Sequence, residues 1–493
     1  MFSSIRSLFP KEGIWRDLTL VAGGTAAGQV FSILAAPLLS RLYGASDFGT
    51  LAVYTSVTAV AAALSTFSYH LAIPVPKEDD EAIHLTIISL LCVVLVAACA
   101  GIAGVLFHRR ILALAPSANV AHFLPFVPAG ILGLGSYEVV SQWAARKKAF
   151  GIIARTSVRR SLIQVSAQLI GGFAKLGSFG LVVGQLLGQW SGSLTIGRQA
   201  FQTERATVSK TTAAQLLATA RAYRQFPLIT SPGALVNVLD SNAAPLMFAY
   251  FFGSVVTGYF ALGHRLLSIP FMMIGSSAQK VFFPLAAAAH HNGTLSQETW
   301  RMFQRLAIIA CPMVFLLSSS APEVFSVVLG AEWREAGAFL QWISLRTCFT
   351  LIVFPLIPLM YVLGKQALGT AFNLAQLVVR VGAICIGSLR HDAHLAVALL
   401  GGGTSVLWIG YLFHLLSLSG RSVWETLKVL LKELCIGAAT AAPVIAIKAL
   451  KLGDLAVALA AAACAVVAAA MVLKRLHNER APHGPTEALN ETN

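Results

Sequence analysis

Long apolar runs follow one another along this chain and limit what it can fold into. About fourteen can be drawn, each near the length that crosses the hydrocarbon core of a bilayer. They cover roughly 17–40, 48–73, 83–107, 122–144, 156–174 and 178–198 in the first part of the chain. The rest lie near 226–251, 255–284, 302–321, 338–363, 367–388, 394–418, 429–449 and 454–473. A chain inside lipid must satisfy its own backbone hydrogen bonds, so runs of this length fold as helices. Of 493 residues, 56% are hydrophobic and 12% charged, where a soluble chain carries about 25% charged residues. The expected fold class is an all-α polytopic membrane protein with about 14 transmembrane helices.

The net charge of +15 would point to nucleic acid in a soluble protein. Here retained basic loops explain it, and no nucleic-acid partner is expected. With the N-terminus inside, cytoplasmic segments hold about 25 Lys and Arg, among them Arg146, Lys147, Lys148, Arg155, Arg159 and Arg160. Outer segments hold about 8, such as Arg41, Arg109 and Arg110, and Arg265, Arg346 and Arg380 lie within spans. Both termini are therefore expected in the cytoplasm. The first run is too long for a signal-peptide core and reads as a retained helix. The seven cysteines form no CxxC pair and read as small apolar packing residues, with no metal site.

Ala35-Ala36-Pro37-Leu38 returns as Ala243-Ala244-Pro245-Leu246. Each copy leads to an aromatic residue and two glycines: Tyr43, Gly44 and Gly49, then Phe252, Gly253 and Gly258. Duplicated halves are a mark of transporters, with the pathway at the repeat interface. An even number of spans per copy makes the repeat parallel. The expected organisation is a six-helix lobe over 1–204, a second over 205–420, and two extra helices with a tail over 421–493. Span fourteen, mostly Ala, Val and Leu, suits packing or lipid contact.

The chain has no phosphate loop, no H-E-x-x-H and no G-x-S-x-G, and its outer loops are short. An enzyme is disfavoured, and no catalytic residue or cofactor is expected. Ionisable residues within spans are costly in lipid, so they are the candidates for function. Arg265 and Asp240 lie at similar depth on either side of a hairpin near Gly253. They can form a structural salt bridge, or a polar site in which Arg265 takes an anionic substrate group. Arginine suits phosphate because its planar fork binds two oxygens and stays charged. His264 and Asp240 are candidates for proton coupling, although His264 and Arg265, adjacent on a helix, cannot face one cavity equally. Arg380, Arg346, Arg41 and Asn237 complete the candidate substrate site. Arg346 can also snorkel to the outer surface. Glu138 falls near the inner end of its span and reads as interfacial. Glu78-Asp79-Asp80-Glu81 reads as a solvated turn. Gln29, Gln164, Gln168, Asn242, Asn373 and Gln376 are polar residues within spans, with interhelical hydrogen bonding as their default role.

Gly24-Thr25, Gln29, the stretch Pro37 to Gly44 and Asp47-Phe48-Gly49 resemble the opening of Wzx-type oligosaccharide flippases. So do Ala72-Ile73, Pro76-Lys77 and Asp79-Asp80-Glu81-Ala82. The second half is similar at Phe226-Pro227, Asn237, Pro245, Phe252-Gly253, Gly258-Tyr259, Arg265, Pro270 and Phe282-Phe283-Pro284. The resemblance covers about 20–420, and no close match to lipid II flippases is evident. It implies the multidrug/oligosaccharidyl-lipid/polysaccharide exporter (MOP) fold, MATE-like, with two six-helix lobes around a central cavity. It further implies that undecaprenyl-pyrophosphate-linked oligosaccharide is flipped to the periplasmic leaflet of the bacterial inner membrane for exopolysaccharide, capsule or O-antigen synthesis. Membrane lipid, a polysaccharide polymerase and a chain-length regulator would be its partners. The alternative is a cation-coupled multidrug exporter on the same fold, which calls for an acidic cavity. The sparse central arginines depart from the strongly cationic cavity that the resemblance suggests.

Overall fold

A computed structural model describes residues 14–108, 110 and 123–478. Among these there is no strand. The chain divides into two compact units, Met1–Leu262 and Gly263–Asn493. The first holds α1 (Ile14–Leu34), α2 (Ala36–Leu42), α3 (Ala45–Ser65), α4 (Tyr69–Ala72) and α5 (Asp79–Leu106). It continues with α6 (Val127–Arg146), α7 (Phe150–Phe173), α8 (Ser178–Lys210) and α9 (Ala213–Ala222). The boundary falls inside α10 (Ser231–His291). The second unit adds α11 (Leu295–Leu329), α12 (Arg334–Val353), α13 (Leu359–Val362) and α14 (Gln366–Leu389). It ends with α15 (Ala393–Leu418), α16 (Val423–Ala449) and α17 (Asp454–Asn478).

The element α10 is two helices joined at Gly253, whose φ of 86° and ψ of 178° reverse the chain. Only glycine adopts that backbone without strain. The first copy of the repeat turns differently: Tyr43 is extended (φ −132°), and the Gly44 N–H donates to the Asp47 carboxylate at 3.1 Å. With α10 counted as two, the described residues form fourteen long helices, as expected from the sequence. Eleven stretches are long and apolar enough to cross a membrane, one of them holding both halves of α10. The other two long helices are α7 and α8. At 24 and 33 residues both are long enough, but Arg159, Arg160, Gln164 and Gln168 dilute α7, and Gly, Gln and Ser dilute α8.

Two connections differ from the sequence reading. Arg155, Arg159 and Arg160, counted there with the cytoplasmic segments, lie in the first three turns of α7, which starts at Phe150 rather than near 156. Apolar Ile152 and Ile153 pack on the Trp143 and Val140 core and draw the helix start back. The stretch 199–225, which falls between the apolar runs 178–198 and 226–251, is mostly helix. No breaker interrupts α8 before Lys210, and Thr212 with Gln215 then builds a reciprocal cap that starts α9.

At one end of the first unit, Arg146 holds the segment 73–79. Its guanidinium donates to the carbonyls of Ile73, Pro76, Lys77 and Glu78 at 2.6–3.3 Å, and to the Asp79 carboxylate at 2.9 Å. Lys147 bridges Asp79 and Glu204, each at 2.8 Å, and these carboxylates hold its ammonium pKa above the ordinary value against the opposing effect of burial, the largest single influence. The acidic turn is thus tied down as well as solvated. Beside it, the Thr66 hydroxyl meets His70 Nδ1 at 2.7 Å, and burial pushes the His70 pKa down to about 4.

In the second unit the last two helices dock firmly. Ala441 and Val444 of α16 and Val457 and Ala461 of α17 pack with Leu316 of α11. Buried Glu323 takes Arg334 at 3.2 Å and Lys448 at 3.0 Å. Farther along, Arg475 grips buried Glu433 through two bonds of 2.6 and 2.7 Å. On the outer side of α17, Leu459, Val466 and Leu473 are exposed.

Candidate functional site

Two helices of the second unit face each other across a cavity of about 280 Å³. One wall is His264, Ser268, Phe271, Met272 and Gly275 of α10; the other is Arg346, Thr347, Thr350, Leu351 and Phe354, from α12 and the turn after it. Both sets step by three and four, so each is a single helical stripe. The cavity has a polar end and an aromatic-aliphatic remainder.

The polar end is organised by one contact. Arg346 donates through Nη2 to His264 Nε2 at 3.0 Å. Arginine has no acceptor, so Nε2 carries a lone pair here and His264 is the neutral ring with its proton on Nδ1. Ser268, one turn along, lies 3.3–3.4 Å from the ring nitrogens. Thr347 and Thr350 donate back to the carbonyls of Ile343 and Arg346 at 3.0 and 2.9 Å. Those bonds use each hydroxyl proton and leave its oxygen as acceptor. Arg380, 8% exposed on α14, stands within electrostatic reach of His264. The Arg346 guanidinium therefore stands at one end of a mainly apolar cavity whose lining includes no carboxylate, and Arg380 acts on the same histidine from outside that lining. Such a place attracts an anion, and low dielectric strengthens the attraction.

Of the sequence candidates, the structure brings together His264, Arg346 and Arg380. Arg346 pairs inward with His264. Arg265 is half-buried and is absent from the cavity lining, as the 100° step from His264 requires. Asp240 and Asn237 belong to the first unit, one half-buried and the other exposed. Arg41 is exposed in the last turn of α2, and Arg109 lies outside the described residues.

Sequence reasoning missed Ser268, Thr347 and Thr350. The signal was the i, i+4 spacing of His264 and Ser268, matched by that of Arg346 and Thr350. It also left a charged layer in the first unit at the interface. The Arg160 guanidinium stacks over the Tyr137 ring at 4.8 Å, within reach of Glu138. Arg160 is ten residues into α7, about 15 Å along its axis.

A family model described as "Polysaccharide biosynthesis protein" matches residues 38–338. No curated protein sequence matches the chain. Among solved structures, the lipid II flippase MurJ in an inward closed conformation is similar with a TM-score of 0.68 at 11% identity. That likeness covers 93% of this chain and 99% of that one. An inward-facing multidrug resistance MATE transporter of the MOP superfamily aligns with a TM-score of 0.54 at 13% identity, covering 82% and 96%. A eukaryotic MATE transporter aligns at 0.53 and 16% identity, covering 86% and 98%. At these identities the likeness establishes a shared fold.

Proposed function

This chain belongs to the polysaccharide biosynthesis protein family, and from that premise we propose that it flips lipid-linked oligosaccharide across a membrane. It is a multi-pass membrane protein with the fold of MOP-superfamily transporters. The substrate we propose is an undecaprenyl-pyrophosphate-linked repeat unit, moved to the periplasmic leaflet of the inner membrane. The termini would be cytoplasmic, and a polymerase with its chain-length regulator would consume the product in exopolysaccharide, capsule or O-antigen assembly.

One observation carries the reading: the Arg346–His264 contact, with Arg380 nearby, at the head of an intramembrane cavity. Pyrophosphate and sugar hydroxyls lose their hydration in hydrocarbon at several kcal/mol per unmade hydrogen bond. Fixed guanidinium groups replace that hydration. Arg346 can turn from a neutral imidazole to a phosphate because the anion is the better acceptor. Ligand pockets span roughly 300–1,000 Å³, so about 280 Å³ suits a head group or a single sugar. The lipid tail would stay in the bilayer while alternating access moves the head. A multidrug exporter for organic cations would need acidic groups where this cavity has Arg346.

A deletion strain tests the proposal. Surface polysaccharide should vanish and lipid-linked units should accumulate facing the cytoplasm. Unchanged polysaccharide with no accumulation would refute it.

A further inference from the structure

Arg380 has a second set of neighbours on its own helix. Phe372, Gln376 and Arg380 stand four residues apart on α14, forming one stripe. The stripe spans about 12 Å from Arg380 to Phe372, the reach of a short glycan. Phe372 stacks on Tyr411 of α15, with ring centroids 4.1 Å apart and planes 10° apart, and meets Trp408 edge-on at 4.8 Å.

Two buried polar atoms, one on each of these helices, have no hydrogen-bond partner among the described residues. They are the Trp408 indole Nε1, in a residue 6% exposed, and the Gln376 Oε1, in a residue 5% exposed. The exposed Trp190, by contrast, donates its indole N–H to the Ala129 carbonyl at 3.0 Å. A buried donor and a buried acceptor left unmade destabilise the resting protein, and each asks for a reason. Aromatic rings take the apolar C–H face of a pyranose, and an indole N–H and a carboxamide pair with its hydroxyls.

We propose that the Phe372–Trp408–Tyr411 cluster with Gln376 is a glycan subsite, which takes the sugars next to the pyrophosphate while Arg380 and Arg346 hold the anion. The proposal rests on the flippase reading above. The cluster is closed on itself in this state. A sugar entering beside Gln376 parts Phe372 from Tyr411 and gives the indole N–H and the amide oxygen their missing partners. A carrier without sugar leaves both unmade. Selection against it follows from that loss, as in any site built to bind a hydroxyl.

The test compares two probes on purified full-length protein in nanodiscs. One is undecaprenyl pyrophosphate; the other is the lipid-linked oligosaccharide that accumulates in the deletion strain. Wild type should bind the glycosylated probe about tenfold more tightly than the bare carrier. Trp408→Phe and Gln376→Leu should each remove most of that preference and leave bare-carrier binding unchanged. Trp408→Phe discards an unsatisfied donor and keeps an aromatic ring, so its thermal midpoint should equal or exceed that of wild type; Gln376→Leu supplies an independent second variant. Variants that keep the full preference, or that weaken both probes alike, overturn the subsite and leave the flippase reading standing. Wild type that binds neither probe overturns both.

Discussion

Gly49 and Gly258 hold two helices of the duplicated halves in backbone contact. A Cβ on Gly49 would fall 1.8 Å from the Ser254 carbonyl oxygen, and one on Gly258 would fall 1.8 Å from that of Ala45. Adding 209 to 45 and 49 gives 254 and 258, so the two contacts exchange under the duplication. The contact is self-complementary, like the isologous face of a two-fold dimer. Each glycine is the second of the pair that follows Ala-Ala-Pro-Leu.

Alanine at either position should therefore be poorly tolerated. The obstacle is backbone, which cannot swing aside as a side chain can. Gly49→Ala and Gly258→Ala should each destabilise by roughly 1–3 kcal/mol or more, the range for overpacking. The thermal midpoint in detergent reads this, and wild-type midpoints for both variants would refute the contact.

Arg346 and Arg265 should separate by role. Arg346→Ala should cut transport at least about tenfold at normal protein level, and Arg346→Lys should restore part of it, since lysine keeps charge without the bidentate fork. Arg265→Ala, outside the cavity, should leave more activity than Arg346→Ala. Flipping in proteoliposomes measures both. The reverse order would move the anion site to Arg265.

Arg146 should be irreplaceable by lysine. It satisfies four carbonyls and a carboxylate, and its side chain is 11% exposed. Arg146→Ala should destabilise the first unit by about 2–4 kcal/mol through the acceptors it strands. Arg146→Lys should recover only a minor part, because three donors cannot reach five acceptors. Limited proteolysis of the 73–79 segment reports the loss, and an unchanged cleavage rate would contradict it.

Acid should weaken the protein through His70. Its folded pKa of about 4 lies below the ordinary 6.5, so the unfolded chain takes up a proton that the folded one refuses. Stability is then fully present above about pH 6.5 and declines as pH falls towards 4, by up to about 3 kcal/mol from this group. His70→Asn should flatten this part of the profile. The measurement is the thermal midpoint from pH 7.5 to 4.5, and equal slopes for both proteins would refute the assignment.

The helices were legible because lipid leaves the backbone one solution. Apolar runs located the fourteen, even where polar residues dilute α7 and α8, and Gly253 marked the reversal inside α10. Helix ends were less legible. The run drawn from 156 starts at Phe150, because Ile152 and Ile153 anchor the turns before Arg159 and Arg160 in the core. The arginines of the candidate site were found for a related reason: a charge within a span is conspicuous. Their grouping was not, because Arg265 and His264 are neighbours in sequence and diverge by 100° on the helix. Ser268, Thr347 and Thr350 were hidden among many hydroxyl residues in spans, where spacing distinguishes them only once two stripes are known to face each other.

By itself, then, the sequence determined that this chain is a duplicated helical membrane protein, since hydrophobic length and a repeated motif are local properties. Tertiary structure decided that Arg346 meets His264 rather than the outer surface, and that Gly49 and Gly258 serve one contact. Those pairings depend on which helical faces pack together, and side chains up to about 210 residues apart in the chain set that choice jointly.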